Sequence, residues 1–100
     1  MSETVTIVRV YLTESDAQLK PLLEHLHDVE KVKGVTAFRG IAGFGATGEM
    51  HSSSLLDMSL NLPIVVEFFD TTDNAMRIVE HLSAQIDSGR IVYWPAQANT

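Results

Sequence analysis

Four segments rich in β-branched and aromatic residues alternate with two amphipathic helical patterns in the order βαββαβ. Two βαβ units with right-handed crossovers predict an α+β fold, a ferredoxin-like sandwich with a four-stranded antiparallel sheet and two helices on one face. Two helices cannot cover both faces of such a sheet. Yet Ile64-Val65-Val66, Phe68-Phe69 and Ile91-Val92-Tyr93-Trp94 are apolar at both alternating sets of positions, as in strands buried on two sides. The uncovered face is therefore expected to be an oligomer interface, because large apolar patches seldom stay exposed.

Each element has its own signal. Val5 to Leu12 places Val5, Ile7, Arg9 and Tyr11 on one face and Thr6, Val8, Val10 and Leu12 on the other, a strand pattern. Pro21 suits the first turn of a helix, and Leu22, Leu23, Leu26 and Val29 follow at helical spacing until Gly34, a natural stop. Val35 to Ile41 reads as a second strand. Residues 46 to 60 are small, polar or mixed, without a clean period, and are expected to form a long loop with a helical turn near Ser54 to Met58. Pro63 opens a third strand, Ile64 to Phe69. Asp70-Thr71-Thr72-Asp73 offers helix-capping chemistry, and Ala75, Ile78, Val79, Leu82 and Ile86 make the stripe of a second helix. Ser88-Gly89 turns into a last strand, Arg90 to Trp94, expected to stop at Pro95 with a frayed tail from Ala96 to Thr100.

Composition narrows the function. The 100 residues are expected to form one domain with a mobile loop at about 44–60. Seven Lys and Arg against 13 Asp and Glu leave a net charge of −6, so the basic footprint of a nucleic-acid binder is missing. With no cysteine, thiol catalysis, disulfides and thiolate metal sites are excluded. The N-terminus does not read as a signal peptide, and no apolar run reaches membrane-spanning length. A soluble cytoplasmic protein without membrane insertion is expected.

The chemistry concentrates in Arg39-Gly40-Ile41-Ala42-Gly43-Phe44-Gly45-Ala46-Thr47-Gly48, where four glycines fall within nine residues (Gly40 to Gly48) directly after a strand. Such a cluster lets backbone approach a ligand closely or form an anion-binding concavity. The bland alternative is a tight bend at a strand end. Gly43 to Gly48 matches GxGxxG by letter, but a polar loop follows where the dinucleotide fold needs a helix. Gly40 to Thr47 resembles a phosphate-binding loop with Ala46 in the lysine position. Arg39 and Arg90 could clamp a phosphate or carboxylate; otherwise they are surface arginines beside acidic residues. His25 and His27 point to different faces, and His51 and His81 have no close partner in sequence, which makes a weak case for metal. His51 with Ser52-Ser53-Ser54 lacks an orienting third group for catalysis. Glu67 interrupts an apolar strand and must be partnered, at an edge or facing a cleft.

Gly34-Val35-Thr36, Arg39-Gly40-Ile41, Gly43-Phe44-Gly45, His51 and Leu62-Pro63-Ile64-Val65-Val66-Glu67 resemble the family catalogued as domain of unknown function 190. That family is grouped with the PII-like (nitrogen-regulatory, GlnB-like) signalling proteins. The resemblance runs nearly the whole chain. It implies a homotrimer with small-molecule sites between subunits and a long T-loop after the second strand that docks on a target protein. Gly43-Phe44-Gly45 matches the base of that loop, and Gly89-Arg90-Ile91 looks like the Gly-Lys-Ile of the PII phosphate-binding turn. The chain departs from PII after Gly45: Ala46-Thr47-Gly48-Glu49-Met50-His51 lacks the phosphate-facing basic residues, and the loop has no tyrosine to accept a uridylyl group.

The resemblance and the glycine cluster together imply a non-enzymatic signalling protein that binds a small effector. Its ligand-binding residues are expected to be Arg39, Gly40, Gly43, Phe44, Gly45, Gly89 and Arg90. No catalytic residue, metal ligand or resident cofactor is assigned. The expected effector is a nucleotide such as ADP, AMP or a cyclic nucleotide, or another small anion, and the expected target a membrane transporter or an enzyme. Two alternatives share the fold: a CutA-like metal-binding trimer, and a small ferredoxin-like enzyme that is dimeric.

Overall fold

A computed structural model describes residues 1–44 and 61–100, and the backbone of residues 51–52. The remainder of the glycine cluster and of the expected loop, with Gly45, Gly48 and the turn near Ser54 to Met58, lies outside the described residues. The chain runs through β1 (Ser2–Thr13), a 3-10 turn (Glu14–Asp16), α1 (Leu19–Glu24) continued by a π-turn (His25–Val29), and β2 (Val35–Arg39). Two short strands, β3 (Ala42–Gly43) and β4 (His51–Ser52), precede β5 (Pro63–Thr71), α2 (Thr72–Ser83) and β6 (Ile91–Asn99).

The main sheet has the order β2-β5-β1-β6 with every neighbour antiparallel, the ferredoxin-type topology expected from the order of elements. β1 is central. It pairs with β5 from Val5 to Thr13 and with β6 from Ser2 to Val10. Its even residues Val8, Val10 and Leu12 stand opposite Phe68, Val66 and Ile64 of β5, and all six are buried. Leu22 and Leu26 from the first helical segment and Ala75, Ile78, Val79 and Leu82 from α2 close the core over them. Thr71 caps α2, its Oγ1 accepting the Asn74 N–H at 3.4 Å. Ile86 belongs to the same core but lies past the helix end.

Several local expectations are corrected. Val29 is not part of the first helix's buried stripe; it is 64% exposed, because the π-turn widens the helix after Glu24 and shifts the facing of the residues that follow. Gly34 does not end that helix: the left-handed residue is Lys31, at φ 56°. The second strand stops at Arg39 rather than Ile41 and resumes as β3, which pairs with β4 through Ala42–Ser52 and Gly43–His51. One strand of this two-strand ladder, β4, therefore stands within the segment expected to be a long loop. Pro95 does not end the last strand. It sits opposite Thr6, and Ala96 to Asn99 continue the pairing back to Val5 and Ser2. On an edge strand one side needs no ladder bonds, so a missing N–H is tolerated.

A polar clamp ties the two helical segments together. Glu30, whose side chain is only 2% exposed, accepts hydrogen bonds at one oxygen, Oε2, from His25 Nε2 at 2.7 Å and His81 Nδ1 at 2.8 Å. Burial pushes the Glu30 carboxyl up, but the contacts with His81 and His25 outweigh it and hold the group below its ordinary value. Such a carboxylate adds stability above the unfolded carboxyl range, about pH 4.3. That contribution is lost as pH falls through the lowered folded value. Glu30→Gln is expected to cost about 1–3 kcal/mol at pH 7. Urea unfolding from pH 7 to 3 should show the variant and parent curves converging below about pH 4; parallel curves would show that Glu30 is not the stabilising group.

Candidate ligand-binding cleft

The C-terminal end of β1, the start of β5 and the turn before β6 meet at one edge of the sheet. The Tyr11 N–H donates to Arg90 O at 2.8 Å, and the Glu14 N–H to Leu62 O at 3.0 Å. Between them opens a cleft of about 650 Å³, walled by Tyr11 to Thr13, by Pro63 and Ile64, by Phe44, and by the turn from Asp87 to Arg90. The volume is within the range of small-molecule sites. Gly89 takes φ +86°, a left-handed conformation that a side chain would strain. The turn therefore delivers Arg90 to the cleft directly after a position suited to glycine.

The structure divides the candidate residues. Phe44, Gly89 and Arg90 line the cleft; Arg39, Gly40 and Gly43 do not. Gly45 lies outside the described residues. Gly40 and Gly43 have a packing reason to be glycine. A Cβ at Gly40 would stand 2.7 Å from Pro63 Cγ, and one at Gly43 would stand 3.2 Å from the same atom. The Gly40 N–H also donates to Pro63 O at 2.7 Å. Two glycines of the cluster thus let the chain leaving β2 pass tightly over Pro63, one wall of the cleft.

The two arginines are gathered by one acidic turn. Arg90 Nη1 donates to Asp16 Oδ2 at 2.6 Å. Arg39 Nη2 stands 2.5 Å from Glu14 Oε1, an ion contact without hydrogen-bond alignment. Asp16 Oδ2 also accepts the Thr13 N–H at 3.0 Å. Burial raises the Asp16 carboxyl, but the Thr13 and Arg90 hydrogen bonds prevail and hold it below its ordinary value.

Two clusters bring together residues that no local sequence pattern pairs. His25, Glu30 and His81 form the helix clamp, and Glu30 has no local flag because its partners are 5 and 51 residues away. Among the described residues no three or more His, Asp or Glu are placed to hold a metal ion. The second cluster lies on the sheet face opposite the helices. Arg9 Nε donates to Glu67 Oε1 at 2.7 Å across the β1–β5 pair, and the Arg9 guanidinium lies 5.6 Å from the Trp94 ring centroid, within cation–π range. Glu67 and Tyr11 hold Arg9 more firmly protonated than usual. Around this pair Tyr11, Phe38, Phe69, Val92 and Trp94 are exposed. The Arg9–Trp94 adjacency is readable only from strand register.

This architecture is that of the PII-like branch of ferredoxin-type folds. Structures of CPII, a nitrogen regulatory PII-like protein from Thiomonas intermedia K12, superpose with TM-scores of 0.72 and 0.66 at 19% and 16% identity. In both, all of this chain is matched, with 93% and 92% of CPII covered; one is bound to ADP and bicarbonate, the other to ADP, AMP and bicarbonate. A provisionally assigned PII-like signalling protein from Thermus thermophilus superposes at TM-score 0.66 and 16% identity, with 97% of this chain and 89% of that one covered. The chain belongs to the family described as Uncharacterized ACR, COG1993 (DUF190), whose profile matches residues 5–98. Relatives include a UPF0166 protein from Aquifex aeolicus, 30% identical over 83 residues (79% of each chain), and one from Methanocaldococcus jannaschii, 28% identical over 90 residues (86% of this chain, 82% of that one).

The Gly40–Pro63 contact has a measurable consequence. Gly40→Ala is expected to destabilise the fold by about 1–3 kcal/mol, the usual range for overpacking. Pro63→Ala introduced alongside it should recover part of that loss. A double-mutant cycle in urea with no coupling between the two positions would rule the contact out as the cause.

Proposed function

We propose that this protein is a PII-like regulator, not an enzyme, that binds a small nucleotide or other small anion and passes its occupancy to a partner protein through the segment at about 44–60. The observation that carries this reading is the cleft itself. Tyr11, Phe44, Pro63 and Ile64 provide aromatic and aliphatic surface for a base or ribose, and Arg90, placed by the Gly89 turn, provides one guanidinium for a phosphate or carboxylate. CPII, which shares the fold, has been captured with ADP, AMP and bicarbonate, and these are the first ligands to test.

Phe44 joins the cleft to the segment that follows it, so a ligand stacked on this ring would bias that segment. Regulation requires that the ligand bind one state of the segment more tightly than another. The partner is proposed to be a membrane transporter or an enzyme, met in the cytoplasm. Among the described residues no helix is long and apolar enough to cross a membrane.

Three copies of the chain are proposed to associate through the open sheet face, completing the clefts between subunits. The support is the exposed apolar ring of Phe38, Phe69, Val92 and Trp94 around the Arg9–Glu67 pair. A patch of this kind on a sheet lacking a second layer is a typical association surface. Phe69, 59% exposed, is central to the test: Phe69→Glu is expected to yield monomers in sedimentation velocity at concentrations where the parent is a trimer. A parent that sediments as a monomer at tens of micromolar removes the assembly from the proposal.

For the ligand, calorimetric titration with ADP, AMP, a cyclic nucleotide and bicarbonate is the direct measurement. Arg90→Ala is expected to weaken binding of a phosphorylated ligand about 10- to 100-fold, the worth of a hydrogen bond to a charged group. The same variant should bind adenosine as the parent does. Absence of binding by every nucleotide and by bicarbonate would overturn the effector reading.

A further inference from the structure

The charge preference of the cleft is a separate question, and its answer rests on the small-anion reading above. Arg90 is the one basic side chain among the described residues lining the cleft, and Asp87 lines it too. Asp16 lies outside that lining, yet it holds Arg90 Nη1 at 2.6 Å. The cleft and its immediate support therefore carry one guanidinium and two carboxylates, against a chain already at net charge −6.

Asp16 is fixed in this role by its turn. Its Oδ2 accepts the Thr13 N–H at 3.0 Å, the Ser15 N–H donates to Asn61 Oδ1 at 2.8 Å, and the Glu14 N–H donates to Leu62 O at 3.0 Å. The 3-10 turn is thus stitched to the residues leading into β5. This carboxylate is thus held beside Arg90 by contacts of the protein itself. A guanidinium has five N–H donors, so Arg90 can still reach a ligand while its charge is largely offset.

We infer that Asp16 sets the charge selectivity of the cleft: its carboxylate competes with ligand phosphate for Arg90 and tunes the site to anions of low charge, nucleoside mono- and diphosphates ahead of triphosphates. Each added phosphate charge meets Asp16 and Asp87 without a further cation, among the described lining residues, to offset it. The residue acts through Arg90, so its signature is a change in the ranking of ligands by charge and not a uniform change in affinity.

The test uses Asp16→Asn, which keeps an oxygen for the Thr13 N–H, with Asp16→Ser as a second neutral variant should the first fail to fold. Glu24→Gln, at an exposed position of α1, controls for net charge alone. Adenosine, AMP, ADP, ATP and inorganic pyrophosphate are titrated calorimetrically at low and high salt. The expected result is an ATP-to-AMP affinity ratio about tenfold higher in the Asp16 variants, with adenosine unchanged and the effect shrinking at high salt. Tighter pyrophosphate binding in the variants, with no nucleotide bound by any form, would uphold the role of Asp16 while ending the nucleotide reading. Nucleotide binding with an unaltered ratio, or a ratio raised equally by Glu24→Gln, overturns the inference and leaves the nucleotide reading intact. Uniformly weaker binding also overturns it, because Asp16 would then only orient Arg90.

Discussion

β1 is hydrogen-bonded along both sides, to β5 over Val5–Thr13 and to β6 over Ser2–Val10, and every other feature follows from that placement. In a central strand the side chains alternate between faces, so one sequence of residues builds two surfaces at once. Val8, Val10 and Leu12 go to the helices and make the core with Val66, Phe68 and the α2 stripe. Ile7, Arg9 and Tyr11 go to the face without helices. A slip of one residue would exchange the two sets, placing Arg9 in the core. The burial of Val8 and Val10 therefore also enforces the position of the Arg9–Glu67 pair.

The same register positions the cleft. Leu12 and Ile64 stand opposite one another where the β1–β5 pair ends, and the Tyr11 N–H reaches Arg90 O just beyond Val10–Ile91, where the pairing of β1 with β6 stops. The site is thus formed by strand ends. Here the backbone has left the ladder, and a polar turn can bring Asp16 to Arg90 and Glu14 to Arg39. Pro63 sits at the centre of this arrangement. It pairs with Thr13, accepts the Gly40 N–H and packs against the glycine positions after β2.

Much of the fold is legible in the sequence because its signals are local. Strand alternation in Val5–Leu12, the capping run before α2 and the Ala75–Leu82 stripe each depend on residues a few places apart. Glu67 stands out as a lone acid in an apolar strand, and its partner is Arg9. The departures also have causes. A uniform helical period misplaces Val29, because a π-turn changes its facing. Pro95 taken alone implies a strand end, whereas Ser2 to Val5 stand across the sheet as a partner that carries the strand onward. The glycine cluster has the look of one ligand loop, but Gly40 and Gly43 face Pro63, too far along the chain for any short pattern to pair them.

By itself the sequence determined the class of fold, the order of its elements, the acidic balance of the chain and the candidacy of Arg90, since periodicity, charge and turn chemistry are written in short stretches of chain; Phe44 and Gly89 became candidates through the family resemblance. Tertiary structure alone decided which distant side chains meet. Asp16 and Arg90 are 74 residues apart, and Glu30 and His81 are 51 apart. Such pairs arise only when strand register brings distant turns to one edge of the sheet or packs one helix against another. No local pattern encodes that meeting, so the charge at the cleft could be read only after the sheet was assembled.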